Sequence, residues 1–285
     1  MNAIELHGLT WRYEHAEEPA LVDVNLAIAE GDFVLVIGPN EAGKTTLVSA
    51  IKGLIPNSIS GVLKGDVLVF GERLESIKPP VLAKQIGFVF ADPESQFTAL
   101  TVEEEIVFGL ENVGWPVGTI AERVEWAARI TGVEDLLDKP PYDISGGQKQ
   151  RVAIASVIAM QPRILILDEP TAMIDPLGKD LVVRICAELK NDHEMTIVVV
   201  EHNIEAFAPL ADEVVLVNEG RVERIAPPRE IFSNLDHLLA RDVHPPQVTQ
   251  VFGRLRERGL YHGELPLSDE EGFASWRTLL EGAAQ

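Results

Sequence analysis

The sequence predicts an α/β fold in which a mainly parallel sheet is accompanied by an antiparallel β subdomain, a helical insertion and a small C-terminal appendage. Apolar runs of strand length, FVLVI, ILIL and TIVVV, alternate with helical patterns, as in sheets that are buried on both faces. From about residue 92 to 160 the pattern is instead helical. From about residue 235 the chain has Pro245-Pro246 and scattered charge. We therefore expect a main domain, 1–234, with a helical subdomain at about 92–160, and a C-terminal region, 235–285.

The elements of the main domain follow in order. Residues 1–35 alternate in polarity and predict two strands with a connecting loop. FVLVIG is the next strand, and KTTLVSAIKGLI has the apolar spacing of a helix. The insertion contains three helical segments, VEEEIVFGLENV, IAERVEWAARITGV and GGQKQRVAIASVIAM. The core resumes with the strand RILILDEP, the helix LGKDLVVRICAELKN, the strand TIVVVEH and the short strand pair DEVVLVNEGRVE. The C-terminal region ends in an amphipathic segment, FASWRTLLEG.

The composition narrows the function classes. With 285 residues, of which 46% are hydrophobic, the chain can bury the core of one large α/β domain. A net charge of −21, from 24 basic and 45 acidic residues, opposes binding to nucleic acid or anionic lipid. The apolar runs are too short for a transmembrane helix, and the N-terminus lacks the pattern of a secretory signal. We therefore expect a soluble chain with no nucleic-acid partner.

The stretch GPNEAGKT, residues 38–45, fits the pattern G-x-x-x-x-G-K-[ST] of a phosphate-binding loop. Backbone N–H groups of such a loop, together with the N-terminus of the helix that follows, hold phosphate. Lys44 is expected to reach the β- and γ-phosphates, and the Thr45 hydroxyl to bind Mg²⁺. Because the pattern lies between a predicted buried strand and a predicted helix, we expect the core to be a RecA-like P-loop NTPase.

Two carboxylates, Asp168 and Glu169, follow the apolar run ILIL. The C-terminal edge of a central strand is where α/β sheets bind ligands. Asp168 would hold Mg²⁺ through water, and Glu169 would polarise the attacking water. Carboxylates at a strand end are also common on protein surfaces, and the phosphate loop upstream is what favours the catalytic interpretation.

The stretch ISGGQKQR, residues 144–151, places two glycines at the start of a predicted helix. Free N–H groups and a serine hydroxyl at the positive end of a helix suit a γ-phosphate. Since it precedes the strand that carries Asp168 and Glu169, this stretch resembles the signature sequence of the ATP-binding cassette (ABC) ATPases.

In the ABC family two nucleotide-binding domains face each other head to tail, and each ATP lies between one chain's phosphate loop and the other chain's signature helix. The resemblance implies that Tyr13 stacks on adenine, that the switch histidine His202 contacts the γ-phosphate, and that Asp175 lies in the loop crossing the dimer interface. The residues it implies for nucleotide binding are Tyr13, Gly38, Pro39, Asn40, Glu41, Ala42, Gly43, Lys44, Thr45 and Thr46, and those for the partner chain's ATP are Ser145, Gly146, Gly147 and Gln148.

One position departs from the family. Such proteins usually carry a glutamine just after a strand like GFVF, where it contacts Mg²⁺ and the attacking water, but here the residue is Ala91. Gln96 follows in a pattern, F-x-D/N-P-x-x-Q-F, that resembles the ATPase subunits of energy-coupling factor (ECF) transporters and related cobalt and nickel uptake systems. Either Gln96 substitutes as the catalytic and metal-binding glutamine, or hydrolysis is weakened. The tail from His244 is similar to the C-terminal region of the same branch, which often takes part in subunit pairing.

The resemblance implies ATP and Mg²⁺ as cofactors. It also implies a second ABC ATPase subunit, in a homo- or heterodimer, and integral membrane subunits for scaffold and substrate binding. The chain would lie at the cytoplasmic face of the cell membrane and drive uptake of a vitamin or transition-metal ion, its motion passing through residues 91–110. One alternative is a non-catalytic subunit that completes a partner's site, which Ala91 favours. Another is a nucleic-acid-maintenance ATPase, which the glutamate in GPNEAGK favours but the acidic charge and the short spacing from Lys44 to Ser145 oppose.

Glu41 adds a carboxylate to the phosphate loop, at a place that is commonly glycine in the ABC family. The loop binds phosphate chiefly through backbone N–H groups, so a side chain that points outward is tolerated. A carboxylate close to the γ-phosphate would repel the nucleotide. We therefore predict that Glu41 faces solvent or a basic group at the dimer interface.

Overall fold

The main sheet consists of six strands. The computed structural model describes residues 1–172 and 174–283. The strands of this sheet are β3 (Phe33–Ile37), β6 (Ile86–Val89), β7 (Ile164–Asp168), β8 (Thr196–Val200), β9 (Glu213–Asn218) and β10 (Arg221–Ala226). Their order is β10-β9-β3-β8-β7-β6, and every neighbouring pair is parallel except the β9–β10 hairpin. All residues of β3, β6, β7 and β8 are buried, which confirms the predicted parallel core.

A second, antiparallel sheet contains four strands. They are β1 (Asn2–Tyr13), β2 (Leu21–Ala29), β4 (Gly61–Val69) and β5 (Glu72–Arg73), and their order is β2-β1-β4-β5. The first two are the strands predicted within residues 1–35. β4 is only partly buried, and its alternation is weak, which explains why the sequence pattern did not single it out.

Twelve helices connect and cover the sheets in the described part of the chain. The shorter ones are α2 (Leu54–Asn57), α3 (Pro79–Gln85), α8 (Ile204–Phe207), α9 (Pro228–Ile231) and α10 (Leu235–Leu239). The longer ones are α1 (Lys44–Lys52), α4 (Val102–Asn112), α5 (Val117–Thr131), α6 (Gly146–Ile158), α7 (Pro176–His193), α11 (Gln247–Glu257) and α12 (Asp269–Ala283). The three helices predicted for the insertion are therefore present. α1 ends earlier than predicted because Gly53 adopts a left-handed conformation, φ 79°, and caps the helix.

The main sheet separates two apolar layers. Side chains alternate along each strand, so Val34 and Val36 face one layer while Leu35 and Ile37 face the other. The first layer also contains α1 and the antiparallel sheet, and the second contains α4 to α7. The residues that follow the C-terminal ends of β3, β7 and β8 consequently emerge at one edge, between the two layers.

The C-terminal region packs on the second layer. Leu238, Val243 and Leu267 belong to its buried core. Phe252, Tyr261 and Leu265 form a small cluster of their own, in which the Phe252 and Tyr261 rings meet edge to face at 4.8 Å. Across the described residues, no helix has the length and apolar character required to cross a membrane.

Candidate nucleotide-binding site

The phosphate loop connects β3 to α1 and is closely backed by other backbone. A Cβ at Gly38, φ 153°, would lie 2.0 Å from the Val217 carbonyl oxygen of β9. One at Gly43, φ 100°, would lie 2.7 Å from the Ala20 carbonyl oxygen. The Gly220 N–H, in the tight turn between β9 and β10, donates to the Ala42 carbonyl at 2.9 Å. The loop therefore has a fixed shape, and its two glycines are required by their φ values and by close approach.

Lys44 lies in the first turn of α1 and is 5% exposed. Its Nζ donates to the Gly38 carbonyl at 3.1 Å and to the Pro39 carbonyl at 2.8 Å. Burial lowers the pKa of Lys44, while the nearby Glu169 and Asp168 carboxylates act in the opposite direction. The ammonium group is thus held inside the curve of the loop, where a phosphate group would meet it.

Thr45 and Asp168 come together from α1 and β7. The Thr45 hydroxyl donates to Asp168 Oδ1 at 3.3 Å. Burial raises the pKa of Asp168 to about 6, whereas the hydrogen bond from Thr45 lowers it and the Glu169 charge raises it. A hydroxyl beside a carboxylate is the oxygen donor set that Mg²⁺ prefers, and a cation would offset the cost of burying this carboxylate. These two residues therefore fit the predicted Mg²⁺ site.

Glu169 and His202 form a pair at the ends of β7 and β8. His202 Nε2 lies 3.2 Å from Glu169 Oε1, and both side chains remain partly exposed. The Glu169 backbone is left-handed, with φ 49°, a conformation that costs a non-glycine residue roughly 1–2 kcal/mol. Its N–H donates to the Val200 carbonyl of β8 at 2.8 Å. The two strand ends thereby bring together the predicted catalytic carboxylate and the predicted switch histidine.

Tyr13 completes the cavity from the antiparallel sheet. Its hydroxyl is hydrogen-bonded to Thr46 Oγ1 at 2.9 Å, and its ring meets Trp11 edge to face at 5.7 Å. The cavity has a volume of about 290 Å³ and is lined by Tyr13, Ala20, Asn40, Glu41, Ala42, Gly43, Lys44, Thr45, Thr46, Glu169 and His202. Most of the residues predicted to bind nucleotide therefore share one cavity.

Glu41 lies in the phosphate loop with φ 62° and an exposed side chain. This exposure agrees with the prediction that the carboxylate faces solvent. A left-handed backbone also explains why glycine suits this position. Because Glu41 contributes to the lining of the cavity, its charge lies near the entrance rather than remote from it.

Gln96 is not among the residues that line the cavity. Its Oε1 accepts from the Phe90 N–H at 3.4 Å, and its Nε2 donates to the Ala153 carbonyl of α6 at 3.4 Å. Residues Pro93–Gln96 form a short 3₁₀ helix that directs the side chain towards α6. In this structure the Gln96 amide is hydrogen-bonded to backbone groups and does not line the cavity, and its catalytic and metal-binding role stays a prediction. Ala91 offers no polar side chain in its place.

The signature residues also lie outside the cavity of their own chain. Ser145 caps α6, and Ser145 and Gln148 exchange hydrogen bonds with each other's backbone N–H, at 3.4 and 2.9 Å. Ser145 and Gly146 are exposed. Asp175 caps α7 by accepting from the Gly178 N–H at 2.9 Å, and it too is exposed. The exposed N-terminus of α6 is thus free to meet a ligand from outside this chain.

The sequence pattern did not reveal Glu201, the residue before His202. It is 2% exposed, and its carboxylate is hydrogen-bonded to Thr171, His202 and Asn203. Its position directly after the apolar run TIVVV could have indicated a buried carboxylate. A buried carboxylate needs hydrogen-bond donors around it, so this position could also have indicated a structural role.

Comparison with known proteins shows the family to which the chain belongs. The sequence pattern of the ABC transporter family matches residues 21–172. A putative ABC transporter ATP-binding protein of Pyrococcus horikoshii is 37% identical over 270 residues, 95% of each chain. The energy-coupling factor transporter ATP-binding protein EcfA1 of Bacillus subtilis is 39% identical over 269 residues, 94% of this chain and 93% of its own.

Among solved structures, CbiO1 of Clostridium perfringens, part of the ABC transporter complex CbiONQ, superposes with a TM-score of 0.73 at 31% identity. The match covers 90% of this chain and 99% of CbiO1. A dimeric ATP-binding cassette in a post-hydrolysis state bound to ADP and Pi gives a TM-score of 0.69 at 28% identity, over 79% of this chain and 98% of its own. The chain described here belongs to the ABC transporter family of ATP-binding proteins.

Proposed function

We propose that this protein is the ATP-binding and ATP-hydrolysing subunit of an ECF-type importer, which drives uptake of a vitamin or a transition-metal ion through separate membrane subunits. The observation that carries the proposal is one cavity lined by the phosphate loop, by Thr45, which is hydrogen-bonded to Asp168, and by the Glu169–His202 pair. The importer class is supported by the ECF subunits and CbiO1 among its relatives.

The residues divide the chemistry among them. Lys44 exchanges its bonds to the Gly38 and Pro39 carbonyls for bonds to the phosphates, and the loop's N–H groups hold the remaining oxygens. Thr45 and Asp168 would hold Mg²⁺, which would supply positive charge beside the phosphates. Glu169 accepts a proton from the attacking water, and His202 contacts the γ-phosphate and orients the Glu169 carboxylate through their shared contact.

Ser145, Gly146, Gly147 and Gln148 act on the nucleotide of a second subunit. Their helix N-terminus is exposed and lies outside the cavity of its own chain, while Gly147 packs close to Ile174 in the loop before Asp175. A head-to-tail dimer would give each cavity the helix N-terminus of the opposite chain. The dimeric ATP-binding cassette among the structural relatives supports such pairing.

Two further surfaces suit protein partners. Phe90, Leu100, Phe108 and Tyr142 are large hydrophobic residues that are 39–74% exposed around the helical insertion, and we assign them to the membrane subunits. With this assignment, we propose that the chain lies at the cytoplasmic face of the membrane. In the C-terminal region, residues 235–285, the exposed residues Phe273, Trp276 and Leu280 follow one face of α12, and we assign this face to subunit pairing.

A weakly catalytic or non-catalytic subunit is the second candidate. Ala91 favours it, because the loop supplies neither a metal ligand nor a water-orienting amide and Gln96 is bonded to α6. The intact Glu169–His202 pair favours hydrolysis. We therefore propose that the chain hydrolyses ATP, with turnover below that of a subunit that carries a glutamine at position 91.

The test compares the ATPase activity of the purified chain with that of Glu169→Gln, and uses Glu125→Gln, an exposed glutamate on α5, as the matched control. Loss of a general base lowers kcat by about 10²–10⁴-fold, so we expect that reduction for Glu169→Gln and wild-type activity for Glu125→Gln. ATP binding should persist in both. Activity that is absent from the wild-type chain, or unaffected by Glu169→Gln, contradicts the catalytic proposal.

A further inference from the structure

The Glu201 carboxylate joins the two loops that carry the Glu169–His202 pair. Its Oε1 accepts the Thr171 N–H at 3.0 Å and also the Thr171 hydroxyl. Its Oε2 accepts the N–H groups of His202 and Asn203 at 2.8 and 3.0 Å. Each oxygen therefore accepts hydrogen bonds from one loop: Oε1 from the loop after β7 and Oε2 from the loop after β8.

We propose that Glu201 is a positioning residue for ATP hydrolysis, which holds the loops after β7 and β8 at a fixed separation so that Glu169 and His202 meet at the γ-phosphate. The inference rests on the proposed ATPase function. Glu201 is absent from the lining of the cavity that contains Lys44 and Glu169, so it acts through its neighbours rather than on the nucleotide.

The backbone of Glu169 shows why such a connection matters. Its left-handed conformation is unfavourable for a residue with a side chain, so the surrounding structure must hold it. On one side its N–H is bonded to Val200, and two residues later Thr171 is bonded to the side chain of Glu201. Both attachments lie at the end of β8. The direction in which the Glu169 carboxylate points is thus set from the strand that also carries His202.

The same end of β8 is attached to the phosphate loop's strand. The Glu201 N–H donates to the Val36 carbonyl of β3 at 3.3 Å. A second cavity, of about 430 Å³, reaches Glu201 between Gly38 and the Asp242–His244 segment. Glu201 is therefore the residue at which three parts of the site share a rigid support: the phosphate loop's strand, the loop of Glu169 and the loop of His202.

Glu201→Gln tests this directly because glutamine has only one acceptor oxygen. Since Glu201 uses both oxygens, an amide –NH₂ must face N–H donors in one of the two loops and leave them unbonded. Glu105→Gln is the matched control. Glu105 is also buried, 4% exposed, but it accepts the Thr98 and Ala99 N–H groups at 2.8 and 2.9 Å with a single oxygen, so glutamine can keep both bonds.

For Glu201→Gln we expect kcat to fall 10- to 100-fold while the Kd for ATP changes less than about threefold, because a displacement of about 1 Å at reacting groups costs up to about 10²-fold. In a His202→Ala background the same substitution should lower kcat by a smaller factor than in the wild type, since part of what Glu201 positions has been removed. A purely structural role would lower the melting temperature and reduce activity equally in both backgrounds.

Hydrogen exchange gives a readout that does not depend on turnover. In Glu201→Gln, the amides of residues 171 or 202–203 should exchange at least tenfold faster, while Glu105→Gln leaves them unchanged. Unchanged exchange at all three amides, or an unchanged kcat in a wild-type chain that hydrolyses ATP, overturns the positioning role. If the wild-type chain shows no ATPase activity, the proposed function fails, and the exchange measurement still decides whether Glu201 holds the loops.

Discussion

Removing the Tyr13 ring tests whether the cavity holds a nucleobase or only phosphate. Tyr13 is held in two ways: its hydroxyl is bonded to Thr46 at 2.9 Å, and its ring packs edge to face on the buried Trp11. It can therefore present a ring face without a large loss of side-chain entropy on binding. Tyr13→Ala removes this face, whereas Tyr13→Phe keeps the ring and removes only the bond to Thr46.

The size of each effect follows from these contacts. Stacking of a base on an aromatic side chain is worth about 1–3 kcal/mol, so Tyr13→Ala should weaken ATP binding by about 5- to 150-fold. A partly buried hydrogen bond contributes about 0.5–1.5 kcal/mol. The loss of the bond to Thr46 in Tyr13→Phe should therefore weaken ATP binding by no more than about 13-fold. We expect the ring to contribute little to phosphate binding, because Lys44 in α1 and the loop between β3 and α1 hold the phosphates.

The assay is isothermal titration of each variant with ATP and, separately, with inorganic triphosphate. We expect Tyr13→Ala to lose affinity for ATP and to bind triphosphate within about twofold of the wild type. If Tyr13→Ala binds ATP as tightly as the wild type does, or if both ligands weaken equally, the adenine platform is refuted. The second result would show instead that the ring supports the phosphate loop.

Three other perturbations give measurable outcomes. Glu41→Gly removes a negative charge and a glutamate in a left-handed conformation at the cavity entrance. The Kd for ATP should therefore fall a few-fold at low salt. Titration at two ionic strengths should show that the difference in Kd between variant and wild type shrinks at high salt. Burial lowers the pKa of Lys52 to about 8, below its value in the unfolded chain. Between pH 8 and 10.5 the folded state therefore binds fewer protons than the unfolded state. The wild type consequently gains stability as the pH rises through this window. Lys52→Met lacks this dependence. Between pH 8 and pH 10 the free energy of unfolding of the wild type, measured with denaturant, should therefore rise by about 2 kcal/mol relative to that of Lys52→Met. Phe273 is 77% exposed on α12, so Phe273→Asp should weaken subunit pairing in sedimentation experiments while leaving the melting temperature unchanged.

The predictable parts of the fold are those that local patterns determine. Fully buried parallel strands appear as continuous apolar runs, and β3, β7 and β8 were found this way. The phosphate loop was found because its glycines and lysine have fixed spacing. Strand β4 was not singled out, because it is mostly exposed or half-buried and its alternation depends on pairing with β1, about 55 residues earlier.

Two residues of the site show where sequence reasoning ends. Gln96 has the side chain that a magnesium site needs, but its orientation is set by a carbonyl on α6, 57 residues away in sequence. The role of Glu201 depends on donors from two loops, one of them 30 residues away. Residue type was informative in both cases, whereas the direction of the side chain was a property of the tertiary structure.

The turn between β9 and β10 has a consequence for engineering the protein. Glu219 and Gly220 form a two-residue turn with positive φ at both positions, and hairpin tips are common choices for inserting tags or fluorescent domains. Here Gly220 is hydrogen-bonded to Ala42 of the phosphate loop and to Val22 of β2. An insertion at this tip would loosen a loop located about 175 residues earlier in the chain, so a reporter should be placed elsewhere, such as the exposed Gly114 turn between α4 and α5.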